Sequence, residues 1–144
     1  MTLKKIDYSK LVVYKIVCKD LRVTDIYVGS TTNFDQRKKQ HKSSCCRITS
    51  ERYHHQLYKC IRNFGGWQNW SMIIVEKYPC EDSYNARKIE RFYYEELNAN
   101  LNMVRPLCTE EESKQDAKKT NKRNLIKKEH ANILNCTEKI MQTK

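Results

Sequence analysis

The sequence predicts an α/β fold: a small three-stranded antiparallel sheet flanked by helices, followed by a charged C-terminal helix or tail. Three observations carry this prediction. Two β-branched, aromatic segments lie close together near the N-terminus, with only a polar turn between them. A third, aliphatic segment follows after two stretches of helical character. The 144 residues suffice for one modest core and not for two.

Leu11-Val12-Val13-Tyr14-Lys15-Ile16-Val17-Cys18 reads as the first strand, and Asp25-Ile26-Tyr27-Val28-Gly29 as the second, making a hairpin. Asn33 is a suitable N-cap for a helix running from Phe34 to about Lys42. Tyr53, Leu57, Tyr58 and Ile61 have helical spacing within a segment that Gly65-Gly66 stops. Asn69 to Tyr78 reads as the third strand, and its Trp70, Met72, Ile73, Ile74 and Val75 predict burial on both faces for part of its length. Pro79 ends it, and Asp82 or Ser83 caps a helix reaching about Leu97. Leu101 to Val104 reads as a short extended stretch before Pro106. Thr109 and Glu112 have the spacing of a capping box, yet no large apolar residue occurs from Thr109 to Asn124. We therefore expect a folded domain over residues 1–108 and a basic, helical or partly disordered tail over 109–144.

Twenty-eight Lys and Arg against 17 Asp and Glu leave a formal charge of +11, most of it in the expected folded part. Such an excess favours a polyanionic partner, nucleic acid before membrane. The longest aliphatic run, Ile73-Ile74-Val75, is far too short to span a bilayer, and no secretory stretch follows Lys4-Lys5. Seven cysteines without a CxxC pair argue against a disulfide framework and for an intracellular, reducing compartment. Cys45-Cys46 with His54-His55 matches no standard zinc spacing and reads as structural cysteines with surface histidines.

Two helices carry residues that their packing does not explain. On the 83–97 helix, Ala86, Ile89, Tyr93 and Leu97 form an apolar stripe, and Glu90 falls only about 20° from Leu97 on the wheel. A carboxylate there needs a cation or hydrogen bonds, unless it reaches water from the stripe edge. On the helix after the hairpin, Phe34, Arg37 and His41 share a face, which suits either phosphate binding or a solvated surface anchored by Phe34. Alternation sets Tyr14 beside Val12 and Ile16 on one face of the first strand, and Tyr27 with Gly29 on one face of the second.

Taken as an ordered set, Val12-Val13-Tyr14, Tyr27-Val28-Gly29, Ser30-Thr31-Thr32-Asn33-Phe34, Arg37 and His41 resemble the signature of GIY-YIG nucleases. Glu90 and Asn102 fit the family's downstream metal-binding Glu and following Asn; Glu95 and Glu96 lack its separation from that Asn. The connector Asn63-Phe64-Gly65-Gly66-Trp67 is similar to that of stand-alone members from large DNA viruses, whose setting would be the cytoplasm or nucleus of the host cell. The first triplet departs from the family's name-giving Gly and Ile but keeps the Tyr.

The resemblance implies a metal-dependent DNA endonuclease. It implies that Glu90 holds a single Mg²⁺ (or Mn²⁺), Arg37 neutralises phosphate oxygens, and Tyr14 takes the proton of the attacking water. For that role nearby positive charge must lower a phenol pKa of about 10. Tyr27 and His41 would orient water and phosphate, and Asn102 would hold the loop by hydrogen bonds. Lys15, Arg37, Lys38 and Lys42 are the cations expected to meet DNA. The alternative is a catalytically inactive nucleic-acid-binding module of the same fold.

Overall fold

The computed structural model of the protein describes residues 4–142. A 3₁₀ turn at Tyr8–Lys10 leads into β1 (Val12–Cys18), which a short connection joins to β2 (Ile26–Thr31). Then follow α1 (Phe34–Cys46), α2 (Gln56–Asn63), β3 (Trp70–Lys77) and α3 (Ser83–Glu96). The sheet order is β2-β1-β3, antiparallel throughout. This is the three-stranded sheet with flanking helices that the sequence predicts. The chain divides into two units after Leu107, and the second carries α4 (Glu110–Gln142). The capping box at its start forms: the Glu112 N–H donates to Thr109 Oγ1, and the Thr109 N–H donates to Glu112 Oε2. Among the described residues no helix is long and apolar enough to cross a membrane.

The central strand, not the aliphatic one, is buried on both faces. Tyr14, Ile16 and Cys18 pack with Cys45, Leu57, Tyr58, Ile61, Trp70, Met72 and Leu101, on the side of α1 and α2. Val13 points the other way, against Val28 and Ala99, with Ile89, Tyr93 and Leu97 of α3 or its end closing over them. β3 is an edge strand, and Ile73 and Ile74 are 44% and 38% exposed, contrary to the burial expected of their run. The pairing shifts register between Val13 and Tyr14, where Val13 lies opposite Glu76 but Tyr14 opposite Ile74. An extra residue on β3 turns the local alternation, as bulges do.

Other boundaries move by amounts with local causes. α1 continues to Cys46 because Cys45, 1% exposed, is a packed residue one turn beyond His41. Hence Phe34 is not the only residue anchoring that helix. α2 starts at Gln56 and not at Tyr53; residues 47–55 are turns, held by Arg62, which donates to the carbonyls of Cys45 and Tyr53. Residues 101–104 form no strand. Instead they run past the outer edge of β2, which side-chain amides complete. Asn100 Oδ1 accepts from the Ile26 N–H at 2.9 Å. Asn102 Oδ1 accepts from the Val28 N–H at 3.1 Å while its Nδ2 donates to the Val28 carbonyl at 2.7 Å. These bonds satisfy backbone groups that an open sheet edge leaves to water.

Gly29 is fixed by a close approach. It lies opposite Tyr14 in the β1–β2 pairing, and a Cβ built there would stand 2.6 Å from the Tyr14 hydroxyl oxygen and 2.7 Å from its Cζ. The Tyr14 ring is fully buried and cannot swing into solvent. Gly29→Ala should therefore destabilise the domain by about 1–3 kcal/mol through overpacking, read by denaturant unfolding. Unchanged stability would mean that the ring has room to shift.

Candidate active site

The site straddles the edge strand β2. Tyr27 and Gly29 face α1 and α2; Val28 and Ser30 face α3. A cavity of about 320 Å³ opens at this edge, lined from one side by Tyr27, Arg37 and His41 and from the other by Glu90, with Asn102 at the edge itself. The structure thus brings five of the six expected site residues to one cavity wall. The sixth, Tyr14, lies directly behind it.

The buried histidine organises this inner layer. His41 is 5% exposed, with Nε2 2.8 Å from the Tyr14 hydroxyl and Nδ1 2.9 Å from the Tyr58 hydroxyl. Asn33 starts α1 at the register that delivers His41 there, its side chain accepting from the Gln36 N–H. Burial first, then the charges of Arg37 and Arg52, push the His41 pKa down to about 4, so the ring is neutral near pH 7. A neutral imidazole donates through one nitrogen and accepts through the other, so it can link the two phenols in a directed chain. The Tyr27 ring packs against that of Tyr14, with centroids 6.3 Å apart, and lines the cavity.

Burial corrects one expectation about acidity. Tyr14 is raised well above a free phenol by desolvation, then by Tyr27, and the opposing charge of Arg37 does not offset this. Tyr27 is pushed up to about 12 by burial and by Glu90. The positive charge near Tyr14 therefore does not make it acidic in the free protein, and it rests as a neutral phenol.

Glu90 does not snorkel away from its helix. Its Oε2 accepts from the Ser30 hydroxyl at 2.6 Å, across from α3 to β2. Burial raises its pKa, against the lowering effects of that hydrogen bond and of Arg37 and Arg87. Asp82 caps α3 as expected, accepting from the Asn85 N–H and so setting the phase that turns Glu90 inward. Glu95 is engaged elsewhere, in a salt bridge with Arg91.

Among the described residues no group of three or more His, Cys, Asp and Glu side chains could hold a metal. The donor set nevertheless fits Mg²⁺ or Mn²⁺ in the manner that demands least protein. One hard carboxylate, desolvated and lining an open cavity, suffices for a cation that keeps most of its waters. Arg37 makes no salt bridge or side-chain hydrogen bond among the described residues, leaving its guanidinium available to an anion. Lys38 and Lys42 are exposed on α1, whereas Lys15 alternates to the sheet face opposite Tyr14, the face of Val13 and Val28. His55 stacks on Tyr58, and Cys45 is core, so the Cys-Cys and His-His pairs play separate parts.

Ser30 and Tyr58 are partners that sequence reading did not single out. Ser30 was visible by alternation, standing on the same face as Val28. Tyr58 lay in an apolar stripe that gave it only a packing role.

The buried neutral His41 makes stability depend on pH. The unfolded histidine titrates near 6.5, the folded one near 4, so the unfolded chain binds the extra proton between these values. The contribution is fully present above about pH 6.5 and is lost toward pH 4, with a slope up to about 1.4 kcal/mol per unit. His41→Gln should remove this component. Glu90, whose pKa is raised, acts with the opposite sign and remains in both proteins, so the difference between their unfolding-versus-pH curves isolates His41. Parallel curves for parent and variant between pH 7 and 5 would show that His41 is not held neutral.

A family model for the GIY-YIG catalytic domain matches residues 10–102. No curated protein and no solved structure matches the chain. The matched span runs from the entry to β1 as far as the asparagine that clamps the edge of β2, and so takes in the cavity and the tyrosine pair behind it. Nucleases of this kind act on nucleic acid and generally use a divalent metal, and the chain belongs to the GIY-YIG family of endonucleases.

Proposed function

We propose that the protein is a metal-dependent DNA endonuclease that hydrolyses phosphodiester bonds at the cavity between Arg37 and Glu90. The observation that carries this reading is the convergence of Tyr27, Arg37, His41, Glu90 and Asn102 on one cavity, with Tyr14 bonded to His41 behind it. An inert module of the same fold would have no need of a desolvated carboxylate sharing a cavity with a guanidinium that makes no salt bridge, since a carboxylate is unfavourable to desolvate without use.

Glu90 would hold the divalent metal, most suitably Mg²⁺, aided by Ser30, which fixes one carboxylate oxygen. When bound, the metal would supply Lewis-acid stabilisation of charge on the phosphate and leaving oxygens. Arg37 would pair its planar fork with the non-bridging oxygens, whose charge grows toward the transition state. Asn102 holds Val28, and through it the strand that carries Tyr27 and Ser30.

Proton removal needs a route that avoids a free, buried phenoxide. Tyr27 lines the cavity and Tyr14 does not. The attacking water would pass its proton to the Tyr27 oxygen as Tyr27 passes its own to Tyr14 and Tyr14 passes its own to His41 Nε2. Each phenol ends neutral, and the charge appears on the imidazole, where Tyr58 accepts from Nδ1–H. Tyr14 thus keeps the base role, shared with Tyr27, and His41 is the terminal acceptor.

The experiment is nicking of supercoiled plasmid by the purified protein with and without Mg²⁺. Glu90→Gln should abolish nicking while leaving DNA binding intact or slightly tighter, because a negative charge near phosphate has gone. Nicking equal to the parent's would sink the role of Glu90.

Tyr14→Phe and Tyr27→Phe test the proton route. Each removes one oxygen and keeps the ring, and each should lower cleavage by about 10²- to 10⁴-fold. A direct base at Tyr14 with Tyr27 only orienting predicts a clearly smaller loss at Tyr27, whereas the relay predicts comparable losses. Near-parent cleavage by Tyr14→Phe would move the base role to the metal's own water or to His41 alone.

A further inference from the structure

Arg37 and Arg87 act on the carboxylate of Glu90 and Arg52 shares its cavity, and the proposed chemistry uses one of the three. The main cavity is joined by a second cleft of about 270 Å³ on the side of the 3₁₀ turn and the start of α3. Arg37 and Glu90 line both clefts; Arg52 lines only the first and Arg87 only the second. The order along the surface is therefore Arg52, then Arg37 with Glu90, then Arg87. Electrostatics reproduces that order independently. The charge of Arg52 acts on His41 and Tyr58, that of Arg87 on Glu90, and that of Arg37 on all three.

We infer that the two clefts are one groove for a strand of the substrate, in which Arg52 and Arg87 hold the phosphates on opposite sides of the one that is cut. The inference rests on the endonuclease reading and assigns residues outside the six discussed above.

Availability supports it. Neither Arg52 nor Arg87 has a salt bridge or side-chain hydrogen bond among the described residues, and both side chains are exposed. Among the described residues Glu90 is the only acidic side chain that lines either cleft. An excess of guanidinium over carboxylate in a groove is unfavourable in the free protein and is relieved by a chain of phosphates. Arg52 is also held in place despite lying in a loop. Arg62 donates to the Tyr53 carbonyl at 2.6 Å and to the Cys45 carbonyl at 2.8 Å, and its guanidinium covers the Tyr53 ring at 3.7 Å. That anchoring fixes the backbone one residue from Arg52, so the arginine stays beside the cavity without a partner of its own. On the other side the second cleft adjoins a third of about 300 Å³ that shares Ile6 and Thr32 and is lined by Lys4, Lys5 and Lys10. The cationic path continues past Arg87.

The test pairs each arginine with one neutralised phosphate. The cut sites of the full chain are mapped on a duplex oligonucleotide, and substrates are then made with a single methylphosphonate immediately 5′ or 3′ of the cut. Either neutral linkage should slow the parent by about tenfold, the value of a lost charge-assisted contact. Arg52→Gln should be slow on normal DNA and lose its sensitivity to one flank only; Arg87→Gln should lose its sensitivity to the other flank only. Thermal melting should be unchanged in both, since these side chains are exposed. Coupling of both arginines to the same flank, or retained full sensitivity to both flanks in either variant, overturns the groove. If the parent binds DNA without cutting it, the endonuclease reading falls and binding decides the groove. Each variant should then reduce the slope of log K against log salt by about one, and unchanged slopes overturn it. A parent that does not bind DNA overturns both readings.

Discussion

The contact between Tyr14 and Gly29 is the constraint on which the site depends. Any side chain at position 29 would collide with the Tyr14 ring, so the ring can lie across the neighbouring strand only where that strand has no Cβ. From this position its hydroxyl meets His41 at 2.8 Å, and His41 in turn meets Tyr58. A ring displaced by one ångström would break the first link, because hydrogen bonds weaken steeply beyond about 3.2 Å. Helix α1 can then be seen as built to deliver one imidazole to that hydroxyl: it is capped by Asn33, anchored at Phe34 and Cys45, and buries His41 between them.

The second requirement is that groups from opposite faces of a sheet meet. A side chain on α3 and one on α1 are separated by the sheet everywhere except at its edge. Placing β2 at the edge lets Glu90 and Arg37 line one cavity, but it also leaves backbone N–H and C=O groups of β2 unpaired. Asn100 and Asn102 resolve this conflict. Their amides bond Ile26 and Val28 as a neighbouring strand would, yet occupy far less width than a strand. A fourth strand would have covered the cavity. Asparagine fits because one side chain carries both a donor and an acceptor; a carboxylate at 102 would lack the donor for the Val28 carbonyl.

Much of this was legible in the residue pattern. The elements and their order followed from β-branched runs, helical spacing and caps, and the anomalous Glu90 was visible from the wheel alone. What failed has a common physical origin, which is that periodicity reports apolar faces but not neighbours. The Met72-Ile73-Ile74-Val75 run implied two covered faces, but strand order put β3 at an edge and a register shift disturbed its alternation. In the extended stretch at 101–104 the apolar residues do not share one environment: Leu101, 2% exposed, packs, while Val104 is 74% exposed. The pairings Ser30–Glu90 and His41–Tyr58 join residues 60 and 17 positions apart, and no local spacing encodes them.

Burial acts on every titratable group of the inner site in the same sense. It raises Tyr14, Tyr27 and Glu90 and lowers His41, so each is pushed toward its uncharged form. Neutral groups are far less costly to bury than ions, which is why a domain of this size can keep two phenols, an imidazole and a carboxyl together without losing its fold. Arg37 is the exception, since a guanidinium stays protonated at any relevant pH. The cavity therefore sets the guanidiniums of Arg37 and Arg52 beside groups that burial pushes toward their uncharged forms. In the proposed reaction a phosphodiester beside Arg37 would add a countercharge to that of Glu90. On the proposed route the groups would ionise only as the substrate's charge redistributes, and proton transfer along the chain would spare each phenol from bearing a full charge alone. Low acidity of the free tyrosines is thus compatible with a part in proton transfer, because what matters is the energy of the charged state with phosphate present, not without it.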